Sequence, residues 1–257
     1  MGDNEDRQSP SLDEKDDQEQ TAQEHHTHLF REGESISSPA QITHFEDETD
    51  GRYTPAGCSG TMCIFTAGVI LDELSTTIAT SDRRTGCGFV FRPGRQHHIN
   101  QRAVSFKLER KGPHLQRQDP SRFRANLRAA LAAVAFRPWH DEGWNTLVIA
   151  TSSSYVTEGI QRLTGREPGQ WRREQLDLMS HSDLWYDLLL QIDRVRADGD
   201  MHVAFWWIPE SWNEEAIECA DWAARYLDPV EEWSDVVAQG VARRPSLLAR
   251  SQLVTEE

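Results

Sequence analysis

The chain has 257 residues, with 27 Lys plus Arg against 42 Asp plus Glu for a net charge of -15, and only 37% of it is hydrophobic. That length allows one good-sized core or two small ones with tails, and the low apolar fraction implies that part of the chain stays unpacked. No stretch reaches the roughly 18 consecutive apolar residues of a membrane span, and the N-terminus is acidic where a signal peptide is basic and then apolar. An intracellular protein, cytoplasmic or nuclear, without a membrane partner, is therefore expected.

Residues 1–50 are Asp, Glu, Gln, Ser, Thr and His with few large apolar residues, a composition that cannot offset its chain entropy by burial, so a disordered acidic tail is expected. His25, His26 and His28 cluster there at a spacing that fits no closed metal site. From Thr61 the text changes to short apolar runs. Met62–Thr66, Gly86–Phe91, Ala103–Leu108, Leu147–Thr151 and His202–Ile208 have strand length and composition. Phe123–Phe136 is alanine-rich with apolar residues three and four apart, which predicts a helix with one buried face. Further helices are predicted over Ser153–Gln161, Ser182–Arg196 (with Ser182 as N-cap) and Trp212–Tyr226. Phe205, Trp206 and Trp207 alternate across the last strand, so they are read as core on one face and helix packing on the other. Beyond Asp228-Pro229 the pattern weakens, and Val230–Ala249 is read as an additional, partly helical extension.

Three strands in succession, then helix, strand, helices, strand and helix describe a mixed α/β sheet of about 170 residues. Cys58, Cys63, Cys87 and Cys219 are too few and too irregular for a disulfide framework or a zinc site and read as reduced, mostly buried thiols. Charge is blocked along the chain: four basic against eighteen acidic side chains in 1–82, twelve against two in 83–128, and eleven against twenty-two in 129–257. One strongly basic segment sits in an acidic protein.

Particular junction sequences carry a resemblance. Ile64-Phe65-Thr66-Ala67-Gly68 is similar to F-T-D-G on a first strand, and Ser121-Arg122-Phe123-Arg124-Ala125-Asn126-Leu127 to T-N-x-R-A-E-L at a helix start. Ala150-Thr151-Ser152-Ser153-Ser154-Tyr155-Val156 is similar to S-T-D-S-x-Y-V, Asp183-Leu184-Trp185 to D-L-W, and Asn213-Glu214-Glu215-Ala216 to N-x-x-A before a last carboxylate. Together, in this order, they resemble type 1 ribonuclease H over about residues 61–227, which implies an α/β fold with a five-stranded mixed sheet, three antiparallel strands followed by parallel ones, and helices on both faces. The resemblance implies four carboxylates holding two magnesium ions that drive hydrolysis of the RNA strand of an RNA-DNA hybrid. At the four matching positions this chain has Ala67, Asn126, Ser152 and Ile217. Two dications need anionic oxygen ligands in near-octahedral geometry, so no metal cofactor and no hydrolysis by that route are expected. Asp72, Glu73 and Asp221 are the nearest acids that could rebuild a displaced site.

The resemblance also implies a nucleic-acid face. Ser121 stands where the family has a phosphate-contacting threonine, and Trp171-Arg172-Arg173 lies in the region of its substrate channel; Arg122, Arg124 and Ser153 complete the candidate contacts. Other contacts are replaced: Asp119 stands for an arginine, Ser180 for an asparagine, and Arg122 and Phe123 for paired asparagines. Three functions remain open at this point. The first is a hydrolytically silent protein that binds RNA-DNA hybrid or structured RNA through its basic segment. The second is a protein-interaction scaffold whose acidic tail engages an unknown partner, and the third is a nuclease with relocated ligands.

Overall fold

The fold follows from which strands the alternating apolar runs place side by side. The computed structural model describes residues 42–44, 51–55, 58, 60–71, 83–93, 102–165 and 170–238. The strands are β1 (Ile42–His44), β2 (Tyr53–Pro55), β3 (Thr61–Ile70), β4 (Thr85–Val90), β5 (Ala103–Lys107), β6 (Thr146–Thr151) and β7 (His202–Trp207). The helices are α1 (Arg122–Ala135), α2 (Ser154–Leu163), α3 (Ser182–Gly199) and α4 (Glu214–Tyr226). β3, β4 and β5 form an antiparallel meander, whereas β6 joins β3 and β7 joins β6 in parallel. The central order β5-β4-β3-β6-β7 is the mixed five-stranded sheet expected from the sequence. β1 and β2 add an antiparallel pair at the start of β3, through Tyr53 opposite Cys63.

Period-two alternation assigns the strand side chains to two cores. Met62, Ile64, Phe89, Leu147, Ile149, Val203 and Phe205 point to the face covered by α1, α2 and α3. Cys63, Phe65, Ala67, Val148, Ala150, Ala204 and Trp206 point to the opposite face, under α4. Trp207 is 53% exposed and packs in neither core, a departure from the expected burial of all three aromatic residues. The reason is position: Trp207 is the last residue of β7.

α4 sits unusually close to the sheet because both sides are stripped of bulk. A methyl group at Gly86 would lie 2.1 Å from the Ala220 carbonyl oxygen, and one at Gly88 would lie 2.7 Å from the Ala220 nitrogen. The helix answers with buried Ala216, Ala220, Ala223 and Ala224. Lys107 at the end of β5 is buried and donates from Nζ to the Ala224 carbonyl oxygen at 2.8 Å, so its charge meets the negative end of α4. Burial, then the neighbouring Arg84, holds its pKa below the usual lysine value.

Several boundaries differ from the sequence reading. The packed unit starts before Thr61: Arg52 is buried, donates to both oxygens of Glu142 at 2.9 and 2.7 Å, and stacks over Phe91 and Trp139. Ile42–His44, within the expected tail, is a strand; the rest of 1–50 lies outside the described residues. At the other end, 230–238 is not helical and runs as an extended strap against the domain, while 239–257 lies outside the described residues. Ser182 is the first residue of α3, and its N-cap is His181, held at a left-handed φ of 60°. Cys63, Cys87 and Cys219 are buried and Cys58 is partly exposed, all free thiols.

Candidate functional site at the strand ends

Parallel pairing of β3 and β6 ends with Thr66 opposite Thr151, so the next residues, Ala67 and Ser152, lie where the two strands part. α1 and α4 close over this point from the two faces of the sheet. Asn126 on α1 is 5% exposed and its Oδ1 accepts the Gly68 N–H at 2.9 Å, while its Nδ2 donates to the carbonyls of Arg122 at 2.9 Å and Gly68 at 3.4 Å. Gly68 is required for this approach, because a methyl group there would lie 2.2 Å from the Asn126 nitrogen. Ile217 on α4 packs against the cluster that holds Ala67. The four positions singled out from sequence thus gather at one end of the sheet.

Asn213, quoted in the sequence only as part of the N-x-x-A match, proves to be the organising side chain on the α4 side. It is 1% exposed and its Nδ2 donates to the Thr66 carbonyl at 3.0 Å and to Ser152 Oγ at 3.3 Å, tying β3, β6 and the start of α4 together. Its Oδ1 is the buried oxygen here without a hydrogen-bond partner in the protein.

These residues do not fit a pair of magnesium ions. Ala67 and Ile217 offer no ligand atom, Asn126 spends its amide on backbone groups, and Ser152 and Asn213 supply only neutral oxygens, that of Ser152 already accepting from Asn213 Nδ2. Among the described residues no three His, Cys, Asp or Glu side chains gather in a way that could hold a metal ion. Asp221 is paired with Arg225 one turn along α4 at 2.6 Å, on the helix surface. Asp72 and Glu73 lie outside the described residues.

The residues expected on a nucleic-acid face divide into two groups. Arg124 is 1% exposed and makes a two-pronged ion pair with Asp183, at 2.9 and 2.7 Å, bridging α1 to α3. Trp171 is 8% exposed and its indole N–H donates to Asp193 at 2.8 Å. Both are interior structure, so neither can meet a phosphate or a base. A helix-internal arginine and an aromatic residue beside a loop look identical in sequence whether they turn inward or outward, and only the partners on α3 settle it. Ser121, Arg122, Ser153, Arg172 and Arg173 do remain partly or fully exposed.

Ser121 caps α1, accepting the Arg124 N–H at 3.1 Å, and its Oγ lies 3.1 Å from His181 Nε2. Burial, then Arg124, pushes the His181 pKa below its ordinary value, so the ring is neutral near pH 7. Arg122 pairs with Glu210, and Arg173 reaches Asp193 at 3.3 Å while lying over Tyr186. Phe123 is 56% exposed beside Tyr155, with ring centres 5.0 Å apart. The start of α1 therefore presents a hydroxyl, an arginine and an exposed ring together at the positive end of a helix.

Half of the twelve basic residues of the segment pair with acids outside it. Arg102 pairs with Glu215, Arg110 and Arg117 with Glu231, Lys111 with Glu232, Arg122 with Glu210 and Arg124 with Asp183. Arg128 pairs with Glu109 at 2.7 Å, both being 2% exposed. The +10 block and the acidic C-terminal half visible in the sequence are, in large part, the two sides of one set of contacts.

No protein-family model matches this chain, and no curated protein does. Solved structures do. The N-terminal ribonuclease H domain of Rv2228c from Mycobacterium tuberculosis, solved as a fusion with maltose-binding protein, is 15% identical, with 64% of this chain and 98% of that chain covered at a TM-score of 0.39. LC9-RNase H1, a type 1 ribonuclease H with the type 2 active-site motif, is 17% identical over 64% of this chain and 72% of its own, also at 0.39. The foamy viral protease-reverse transcriptase, in a structure with an RNA/DNA hybrid, is 12% identical over 77% of this chain and 22% of its own, at 0.42. The fold is ribonuclease H-like, on the strand order and parallel-antiparallel pattern themselves.

Proposed function

We propose that this is a ribonuclease H-like protein that does not hydrolyse RNA and that binds nucleic acid, an RNA-DNA hybrid or structured RNA, through its exposed arginines. The loss of hydrolysis is carried by one observation: the four positions converge at the strand ends as Ala67, Asn126, Ser152 and Ile217, with the polar atoms among them engaged by the fold. Two magnesium ions would bring four positive charges to four positions none of which carries a carboxylate to balance them. Residual binding is supported by Ser121, Arg122 and Phe123 at the start of α1, and by the exposed Arg172 and Arg173. The Arg122–Glu210 pair is half-exposed on both sides, and exposed pairs are weak enough for a phosphate to exchange with the carboxylate.

A scaffold reading is favoured by a different observation, the neutralisation of the basic segment by internal acids. One preparation separates the two. The purified chain is mixed with an RNA-DNA hybrid in magnesium or manganese, and cleavage and binding are followed across salt concentrations. The proposal expects an uncut hybrid whose binding weakens steeply with salt. Metal-dependent cleavage sinks the silent-enzyme half. Absence of binding, together with a protein partner captured only when residues 1–50 are present, moves the function to the scaffold.

A further inference from the structure

The strap 229–238 follows the edge of the sheet. β5 is the outermost strand on its side, and the chain just after it, at Glu109, forms a parallel bridge with Val230. The Arg110 N–H donates to the Val230 carbonyl at 3.0 Å and the Lys111 N–H to that of Glu231 at 2.9 Å. The side chains repeat the match: Arg110–Glu231 at 3.0 Å, Lys111–Glu232 at 2.6 Å and Arg117–Glu231 at 3.8 Å. An acidic segment thus lies against the basic chain that follows the edge strand, joined to it by one bridge.

The two ends of the strap are held differently. Its second half is anchored: Arg128 stacks over Trp233 at 3.9 Å and donates to the Ser234 carbonyl at 2.8 Å, and the Ala238 N–H reaches the Phe136 carbonyl at 2.8 Å. Its first half is held by the two backbone hydrogen bonds from Arg110 and Lys111 and by solvent-facing charges, the Glu231 and Glu232 side chains being 48% and 65% exposed. Exposed pairs of this kind are weak and screened by salt. A segment tethered beside its docking site nevertheless competes at high effective concentration.

We propose that residues 229–232 act as an intramolecular competitor of nucleic acid, masking Arg110, Lys111 and Arg117 until a phosphate backbone displaces Glu231 and Glu232. This inference rests on the nucleic-acid reading above and names how that binding is regulated. The anchor at Trp233 and Ala238 keeps the strap attached when its acidic half lifts, so displacement is reversible and does not expose the core under α1.

The test uses the full chain with Glu231→Gln and Glu232→Gln together, and fluorescence anisotropy of a labelled RNA-DNA hybrid at low and physiological salt. These side chains are exposed, and an unchanged thermal unfolding midpoint checks the fold. The double variant is expected to bind about 3–10-fold more tightly than the parent at low salt, with a salt slope steeper by about the number of phosphates newly contacted. Adding Arg110→Glu and Lys111→Glu is expected to cancel the gain. The variant Glu214→Gln with Glu218→Gln, which removes equal charge from the exposed side of α4, is expected to leave binding unchanged. Equal binding by parent and double variant overturns the masking while leaving the nucleic-acid reading intact, and an equal gain in the α4 variant overturns it as a mere net-charge effect. If neither parent nor double variant binds, both readings fall.

Discussion

Asn126 stands where the resemblance puts a metal-binding acid, and its amide has become a structural clamp between α1 and Gly68. An acid there would lose the Nδ2 donor and set a buried negative charge against the Arg122 carbonyl. Asn126→Asp is therefore expected to destabilise the fold by about 1–3 kcal/mol at neutral pH, measured by urea unfolding, and not to restore hydrolysis. Arg124 and Asp183 form the other decisive pair. Burial pushes the Asp183 carboxyl up, but the Arg124 hydrogen bonds and charge outweigh it, leaving its pKa below the ordinary 3.8. Arg124→Ala leaves that buried carboxylate unpaired and is expected to cost about 3–5 kcal/mol. The D-L-W match in the sequence locates Asp183, and nothing in the sequence says that its partner is Arg124, 59 residues away.

At the scale of elements, α4 and β4 are fitted by the absence of side chains. Gly88→Ala would put a methyl group 2.7 Å from the backbone nitrogen of Ala220. Backbone cannot turn aside as a flexible side chain can, so the helix must shift, at an expected cost of about 1–3 kcal/mol in unfolding free energy. The G-C-G-F-V segment is legible as a strand from its composition, and the alanines of α4 are legible as a buried stripe. Their direct contact is not, because strand order across the sheet is set by pairing between segments far apart in sequence. The strap 229–238 was unreadable for a related reason: it lacks its own periodicity, and its conformation is imposed by the β5 edge and by the Arg128–Trp233 stack.

For the whole molecule, acid should lower stability in two steps. His181 and Asp183 both have folded pKa values below their ordinary 6.5 and 3.8. In each case the unfolded chain takes up the proton first, so the stability each contributes is present above the ordinary value and lost as pH falls through the lowered one. Unfolding free energy measured against pH should therefore decline below about 6.5 and again below about 3.8. Asp183→Asn should erase the second decline, and a second decline that persists in that variant would contradict the assignment. Magnesium gives a separate whole-molecule check. A ligand bound only by the folded state raises the unfolding midpoint, by an amount that grows with the logarithm of its concentration above the dissociation constant. Millimolar magnesium is expected to leave the midpoint of this protein unchanged, whereas an intact two-metal site would raise it.

The sequence by itself determined the central strands and helices, their order, the fold class, and the identity of the four residues at the strand ends, because period-two and helical patterning and junction motifs are local properties of the text. Tertiary structure alone decided which arginines are exposed. Arg122 and Arg124 stand two residues apart on one helix, yet one faces solvent and the other is sealed against Asp183. Whether a charge meets water or a carboxylate depends on which distant segment packs over it, and that is fixed only when the sheet and its helices close.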